Sequence, residues 1–361
     1  MNEAPDAERH GVVDARAGAP RSGGAGRVPL WDTARFVAIV FVVAGHAIQR
    51  LISDLDSALA VYLVIYSFHI PLLVLVSGHF AKDRLRGREL RRIVTDLVVP
   101  YLIFETVWTV IRLLVEGDAT LDYTTASWTL WFLLALIVWR LVLPVLSVLR
   151  YPLLVAVIVS VGSGYTAELG GALALARTFA LLPFFVLGWE LRRRRVGERW
   201  QRAVDRTVRA VRAVAVGILV ALVAVVLALL PTWRAFDLRA YLLADESYPV
   251  LGQPQWWAGL VRLAVLAVGA LAALAVLALL PRRRIGVTAL GGATLYVYLL
   301  HTFLLYPLRE SGVLRDNATP LLLVALLVLA LPVSLALASG PVRRVFRPVI
   351  EPRIPWLLAR D

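Results

Sequence analysis

Cysteine is absent from this chain of 361 residues, so disulfides, thiolate metal sites and a thioester-forming cysteine nucleophile are excluded. No G-x-S-x-G elbow occurs, since the GSG at 162–164 lacks the spacing, and there is no P-loop, G-x-G-x-x-G or H-E-x-x-H. These gaps argue against a serine-triad hydrolase, a nucleotide motor and a zinc protease, and neither a metal site nor a permanently bound cofactor is expected. No internal repeat of fixed period is present. Acidic residues are comparatively few, 25 against 38 Lys and Arg, which leaves a net charge of +13.

What the chain does contain is mostly apolar. Hydrophobic residues make up 60% of it, and the mean hydropathy of +0.76 exceeds what a soluble domain of this size needs for its core. Apolar runs of about 20 residues, each able to cross roughly 30 Å of hydrocarbon, predict an all-α, polytopic integral membrane protein. Ten such segments are expected: 33–52, 57–80, 93–115, 127–147, 152–166, 171–190, 209–230, 257–280, 286–307 and 319–339. The fifth is short and interrupted by Gly162 and Gly164.

The connections alternate in character. KDRLRGRELRR (82–92), Arg150, RRRRVGERWQR (192–202), RRR (282–284) and the RRVFR near the C-terminus are basic, whereas SDLDS, EGDATLDY, the stretch around Glu168 and the segment Thr232 to Gln255 are acidic or mixed. By the positive-inside bias, the basic loops and both termini face the cytoplasm of a cell-membrane protein, which requires an even number of spans. Clustering of the arginines in short loops reads as topology and anionic-lipid contact rather than a nucleic-acid surface. Residues 1–28, rich in Gly, Ala, Arg and Pro, read as a disordered basic cytoplasmic tail, residues 29–340 as the transmembrane domain, and 341–361 as a basic cytoplasmic C-terminal tail. Nothing in the sequence specifies an oligomeric state.

Ionisable residues inside apolar spans are costly, and each is a functional-site hypothesis. Arg35 and His46 lie eleven residues apart in the first span, about three helical turns, so they share one face with an axial offset of roughly 16 Å. Asp32 is three residues from Arg35 and suitably spaced to pair with it. A buried imidazole is well suited to move a proton near neutral pH. In the second span His69 precedes Pro71, whose missing N–H frees the Ser67 carbonyl and predicts a kink lining a cavity; His79, at the inner end, reads as interfacial. Tyr298 and His301 share a stripe of the ninth span. Arg177 lies inside an apolar run, near its outer edge. Arg88 and Arg91, one turn apart in the basic loop after span two, are placed to grip phosphates or simply to set topology. Glu105, Trp128 and Trp131 are weaker leads, the tryptophans reading as interface-belt aromatics whose faces also stack on sugar rings.

These residues resemble the membrane-bound acyltransferase 3 family, in particular its fucose 4-O-acetylase-like branch. The resemblance rests on Arg35, ten intervening residues and His46; on FHIPLLVLVSGHF at 68–80; on Trp131-Phe132-Leu133; and on YLLHTF at 298–303. It implies transfer of an acyl group, commonly acetyl from cytoplasmic acyl-CoA as co-substrate, to a hydroxyl of a carbohydrate or other glycosylated acceptor. It further implies that His46 is the catalytic histidine, Arg35 its partner in the motif, and Arg88 and Arg91 an Arg-x-x-Arg contact to coenzyme A. Two departures stand out: His79 replaces a commoner aromatic, and no esterase-like domain follows the last span, so acceptor handling is expected within the membrane domain or on a partner. His69, Arg177, Trp131 and His301 complete the expected substrate-binding set. Two other readings compete. One is a proton-coupled transporter or flippase of a sugar-containing substrate using the same buried groups; the other is an unrelated type of membrane O-acyltransferase using His301.

Overall fold

The computed structural model describes residues 28–117, 120–167, 169, 172–354 and 356; the expected N-terminal tail, apart from Val28, and Glu168 lie outside the described residues. The chain is all-helical, with 76% of it in helix and no strand among the described residues. A helix coincides with each expected apolar run: α1 (Pro29–Ile48), α2 (Asp56–Phe80), α3 (Gly87–Glu116), α4 (Trp131–Ser147), α5 (Pro152–Ser163), α6 (Leu175–Arg193), α7 (Asp205–Ala228), α8 (Trp257–Leu279), α9 (Gly286–Glu310) and α10 (Pro320–Leu337). Seven of these, α1, α2, α3, α7, α8, α9 and α10, are long and apolar enough to cross a membrane. The apolar helices α4 and α5 are shorter, and α6 is diluted by Arg177, Glu190, Arg192 and Arg193. Within the expected basic C-terminal tail, Gly340–Ile350 forms a further helix, α11, whose Ile350 is buried while Arg343 lies 5.7 Å from the Tyr296 ring.

Prolines shape the helices that matter most. Pro29 opens α1 at a position where its missing N–H costs nothing, with Asp32 in the first turn complementing the helix dipole. Pro100 interrupts the ladder of α3, and the helix absorbs the gap as a π turn over Val94–Val98, in which the Val99 N–H reaches back to the Val94 carbonyl. Pro71 lies within α2 without ending it. Its ring and the Ser67 carbonyl face α8, not a cavity: a Cβ added to Gly269 would lie 3.2 Å from Pro71 Cγ and 3.3 Å from the Ser67 carbonyl oxygen. The freed carbonyl is therefore covered by a glycine of the neighbouring helix, and His69 is the residue of this segment that reaches the cavity described below.

Close approach of small residues welds α2 to α6. Gly78 lies on the backbone of Phe185, and Gly188 on the carbonyl of Leu75, so any side chain at either position would collide with main chain. Such reciprocal glycine contacts let dispersion and backbone dipoles hold helices together where no hydrophobic driving force acts between them. Both α1 and α2 are largely buried, α1 packing against α2, α9 and α10. By contrast α7 turns Val214, Val220 and Leu227 outward, as suits a helix facing hydrocarbon.

The basic connections gather at one end of the bundle. Trp31 stacks on His79 at 3.7 Å, Arg192 donates to the Ala81 carbonyl at 2.5 Å, Arg282 donates to the carbonyls of Gln201 and Ala203, and Arg212 donates at 3.2 Å to those of Ala278 and Leu280. At the opposite end Arg234 pairs with Asp56 at 2.7 Å, Arg177 with Asp245 at 2.7 Å and Arg50 with Glu310 at 3.2 Å. The alternation read from the loops is thus a real division of the molecule into a basic end and a mixed end.

Candidate active site

An unbroken α1 carries Arg35 and His46 into two different cavities. His46 opens on a cavity of about 310 Å³ toward the mixed end, shared with His69, Trp128, Trp131, Arg177 and Arg309. Arg35 opens on a recess of about 250 Å³ toward the basic end, shared with Asp96, Arg140 and Tyr298. Two further recesses, of about 330 and 160 Å³, adjoin the latter through Phe80, bringing Lys82, Arg92 and Arg192 to the same region.

The imidazoles fix one another's protons. Two carbonyl oxygens, those of Val297 and Tyr298, lie 3.0 and 2.7 Å from His301 Nδ1, and a carbonyl only accepts, so that nitrogen carries the hydrogen. In neutral His301, Nε2 is then an acceptor. It lies 3.0 Å from His46 Nδ1, which must donate. His46 Nε2 is left with its lone pair, on a side chain that lines the cavity. His69 repeats the pattern: Nδ1 donates to the Ile65 carbonyl at 2.8 Å, and Nε2 is buried without a partner. The His69 and His301 tautomers follow from carbonyls one turn earlier on the same helix, and that of His46 follows from His301, which leaves two basic nitrogens on residues of one cavity.

Trp128 and Trp131 both line the His46 cavity. The Arg309 guanidinium lies 4.4 Å from the Trp128 ring and that of Arg177 lies 4.9 Å from the Trp131 ring, a contact stabilising to roughly 0.5–2 kcal/mol as water is excluded. Trp128 adopts a left-handed backbone, φ 54°, which is strained for a bulky residue. Glu105 holds it there: its two oxygens accept from the Ser127 Oγ at 2.5 Å and the Ser127 N–H at 2.8 Å. Fully buried Glu105 is thus a structural clamp on the cavity wall.

Between the two cavities stands Tyr298. It lines the Arg35 recess, and its hydroxyl donates to the carbonyl of Thr129, a residue of the His46 cavity. Arg35 itself donates to the Gly291 carbonyl at 3.4 Å and lies 4.2 Å over the Phe80 ring.

The structure therefore brings His69, Arg177 and Trp131 into one cavity with His46 and bonds His301 to it. Arg88 and Arg91 stand apart. Arg88 is exposed, and on that helical turn Glu89 and Arg92 line the recess. Sequence reasoning passed over Arg140 and Arg309. Arg140 interrupts an apolar run and carried the signal of an intramembrane cation, whereas Arg309 sits where span nine was expected to have ended.

Residues 29–339 match the family profile described as "Acyltransferase domain", acyltransferase type 3. The chain belongs to the acyltransferase 3 family. No curated protein and no solved structure matches it. Membership makes this a multi-pass membrane acyltransferase, and it accounts for the long buried helices around a polar interior.

Proposed function

We propose that this acyltransferase 3 protein moves an acyl group, acetyl in the first instance, from cytoplasmic acyl-CoA to a hydroxyl of a carbohydrate or glycosylated acceptor, as in the fucose 4-O-acetylase-like branch. The observation that carries the reading is the His301–His46 relay, which presents a basic nitrogen at one cavity while Arg35 lies in a second, basic one. In the orientation given by the basic loops, with ten spans and both termini inside, the Arg35 recess opens to the cytoplasm. Lys82, Arg92 and Arg140 supply the charge there for coenzyme A phosphates. The axial offset of roughly 16 Å between Arg35 and His46 is comparable to an extended pantetheine arm.

At the His46 cavity the acceptor hydroxyl gives its proton to Nε2 as its oxygen attacks the thioester carbon. The C–S bond then breaks, and the proton passes to the departing thiolate. His301 keeps the ring oriented and shares the imidazolium charge through Nδ1–H, the task a carboxylate performs in a serine triad. The aromatic faces of Trp128 and Trp131 suit a sugar ring. An acyl-imidazole on Nε2 is the other use of the same lone pair.

The test is transfer from radiolabelled acetyl-CoA to a panel of cell-envelope glycans by the purified protein. His46→Ala is expected to abolish transfer and Arg35→Ala to impair it, with acetyl-protein trapped in the absence of acceptor only if His46 carries the group. Full activity in both variants, or no consumption of acyl-CoA with any acceptor, rejects the reading.

A further inference from the structure

The His46 cavity is far more cationic than a neutral sugar requires. Arg50, Arg177 and Arg309 line it, and among the described residues no carboxylate does. The two carboxylates that meet these arginines are Asp245, 2.7 Å from Arg177, and Glu310, 3.2 Å from Arg50 and 3.6 Å from Arg309 Nε. Neither of them contributes to the lining, so three guanidinium charges face two carboxylates. Buried N–H groups on the Nε atoms of Arg50 and Arg309 have no hydrogen-bond partner. A buried donor left unmade is costly, so these groups favour a ligand that accepts.

The same cavity offers the opposite polarity a short way off. His69 is fully buried, and its Nε2, like that of His46, is an acceptor awaiting a hydroxyl. A ligand matched to both has hydroxyl donors at one side and anionic oxygens at the other. Arg177 and Arg309 are held against indole rings, which orients their planar forks before anything binds, and such pre-organised forks suit carboxylate or phosphate oxygens. At about 310 Å³ the space is at the small end of ligand pockets and fits a single sugar-sized unit.

We infer that the acceptor is anionic: a sugar-sized hydroxyl compound bearing a carboxylate or a phosphate, gripped by Arg177 and Arg309 with its hydroxyl toward His46. This rests on the transfer reading above for the reaction, although the anion site stands on its own geometry.

The experiment uses the full-length protein in nanodiscs with radiolabelled acetyl-CoA and three matched acceptors: a methyl hexoside, the corresponding methyl hexuronoside and the hexose 1-phosphate. At least one anionic acceptor is expected to exceed the neutral one in kcat/KM by about tenfold or more, the scale of one charge-assisted hydrogen bond. Whichever anion wins distinguishes carboxylate from phosphate. Arg309→Gln and Arg177→Gln are expected to drive the anionic-to-neutral ratio toward one, with Arg309→Lys retaining part of it. Because the readout is a ratio, loss of folded protein does not mimic the result. The inference is overturned if the neutral hexoside is used as well as both anions, or if Arg309→Gln raises the KM for acetyl-CoA and leaves the ratio intact. Failure of the transfer reading looks different: no acetyl-CoA is consumed with any acceptor. In that event, an anionic hexoside that raises the melting temperature of the wild type but not of Arg309→Gln upholds the anion site alone, and no such shift removes it as well.

Discussion

At the basic end of the bundle Arg192, Arg212 and Arg282 donate to main-chain carbonyls at the ends of helices, whereas at the mixed end Arg50, Arg177 and Arg309 all meet carboxylates, Arg177 and Arg309 also lie against indole rings, and Arg177 alone adds a main-chain carbonyl, that of Leu243. The first arrangement satisfies the orphan carbonyls of helix C-termini and complements their dipoles. Among the described residues Arg192 and Arg212 form no ion pair and Arg282 meets only Asp205, at 4.0 Å, so the basic end keeps most of its field while being stitched together. At the mixed end the charge is partly matched and the side chains are held in fixed planes, which favours recognition of one shape over general attraction. A count of arginines does not distinguish these uses; the partner of each N–H does.

Changes that remove the framework on which both ends depend have the largest expected effect. Gly188→Leu drives a side chain into the Leu75 carbonyl at the α2–α6 crossing, and no monodisperse protein is expected on size exclusion in detergent. Recovery of a normal peak would show that the crossing adapts. Next comes the relay at the mixed end. His301→Ala removes the acceptor that fixes the His46 tautomer and is expected to lower kcat for transfer by about 10²–10³, with the KM for acyl-CoA little changed. An active His301→Ala enzyme would mean that His46 works without orientation.

Glu105→Gln sharpens the comparison further, because an amide accepts from only one of the two Ser127 donors and sets an NH₂ against the other. A loss of about 1–3 kcal/mol is expected. The acceptor KM should rise while the acyl-CoA KM holds, since only the Trp128 wall of the mixed-end cavity is loosened. Smallest is Arg212→Gln at the basic end. It forfeits two carbonyl contacts in a half-buried setting, and a drop of a few degrees or less in thermal stability is expected, about 0.5–1.5 kcal/mol, with both KM values unchanged. An effect on acceptor use there would dissolve the division between the two ends.

Much of this was legible in the sequence, for physical reasons that can be named. Helices in hydrocarbon must be long and apolar, so the runs announced themselves, and the cost of a charge in such a run singled out Arg35, His46 and Arg177. Partnership was not legible. His46 and His301 are separated by 255 residues, and only the packing of α1 against α9 makes them one unit. Because of that contact, a loss of activity on deletion of His301 does not by itself separate a His46 enzyme from a His301 enzyme. Arg88 and Arg91 show a different limit: their spacing puts them on one helical face but does not say which face turns inward, and it is Glu89, Arg92 and Asp96 of that segment that line the recess. The tryptophans could be read either way, because an interface belt and a cation-stacking cavity wall call for the same residue at the same depth.

The Tyr298 hydroxyl on the Thr129 carbonyl links two spaces that are otherwise separate. The two cavities share no lining residue, yet Tyr298 lines the Arg35 recess and its hydrogen bond holds a wall residue of the His46 cavity. A ligand in the Arg35 recess that displaces Tyr298 is therefore expected to shift the Thr129 wall as well, so that occupancy at one end is felt at the other.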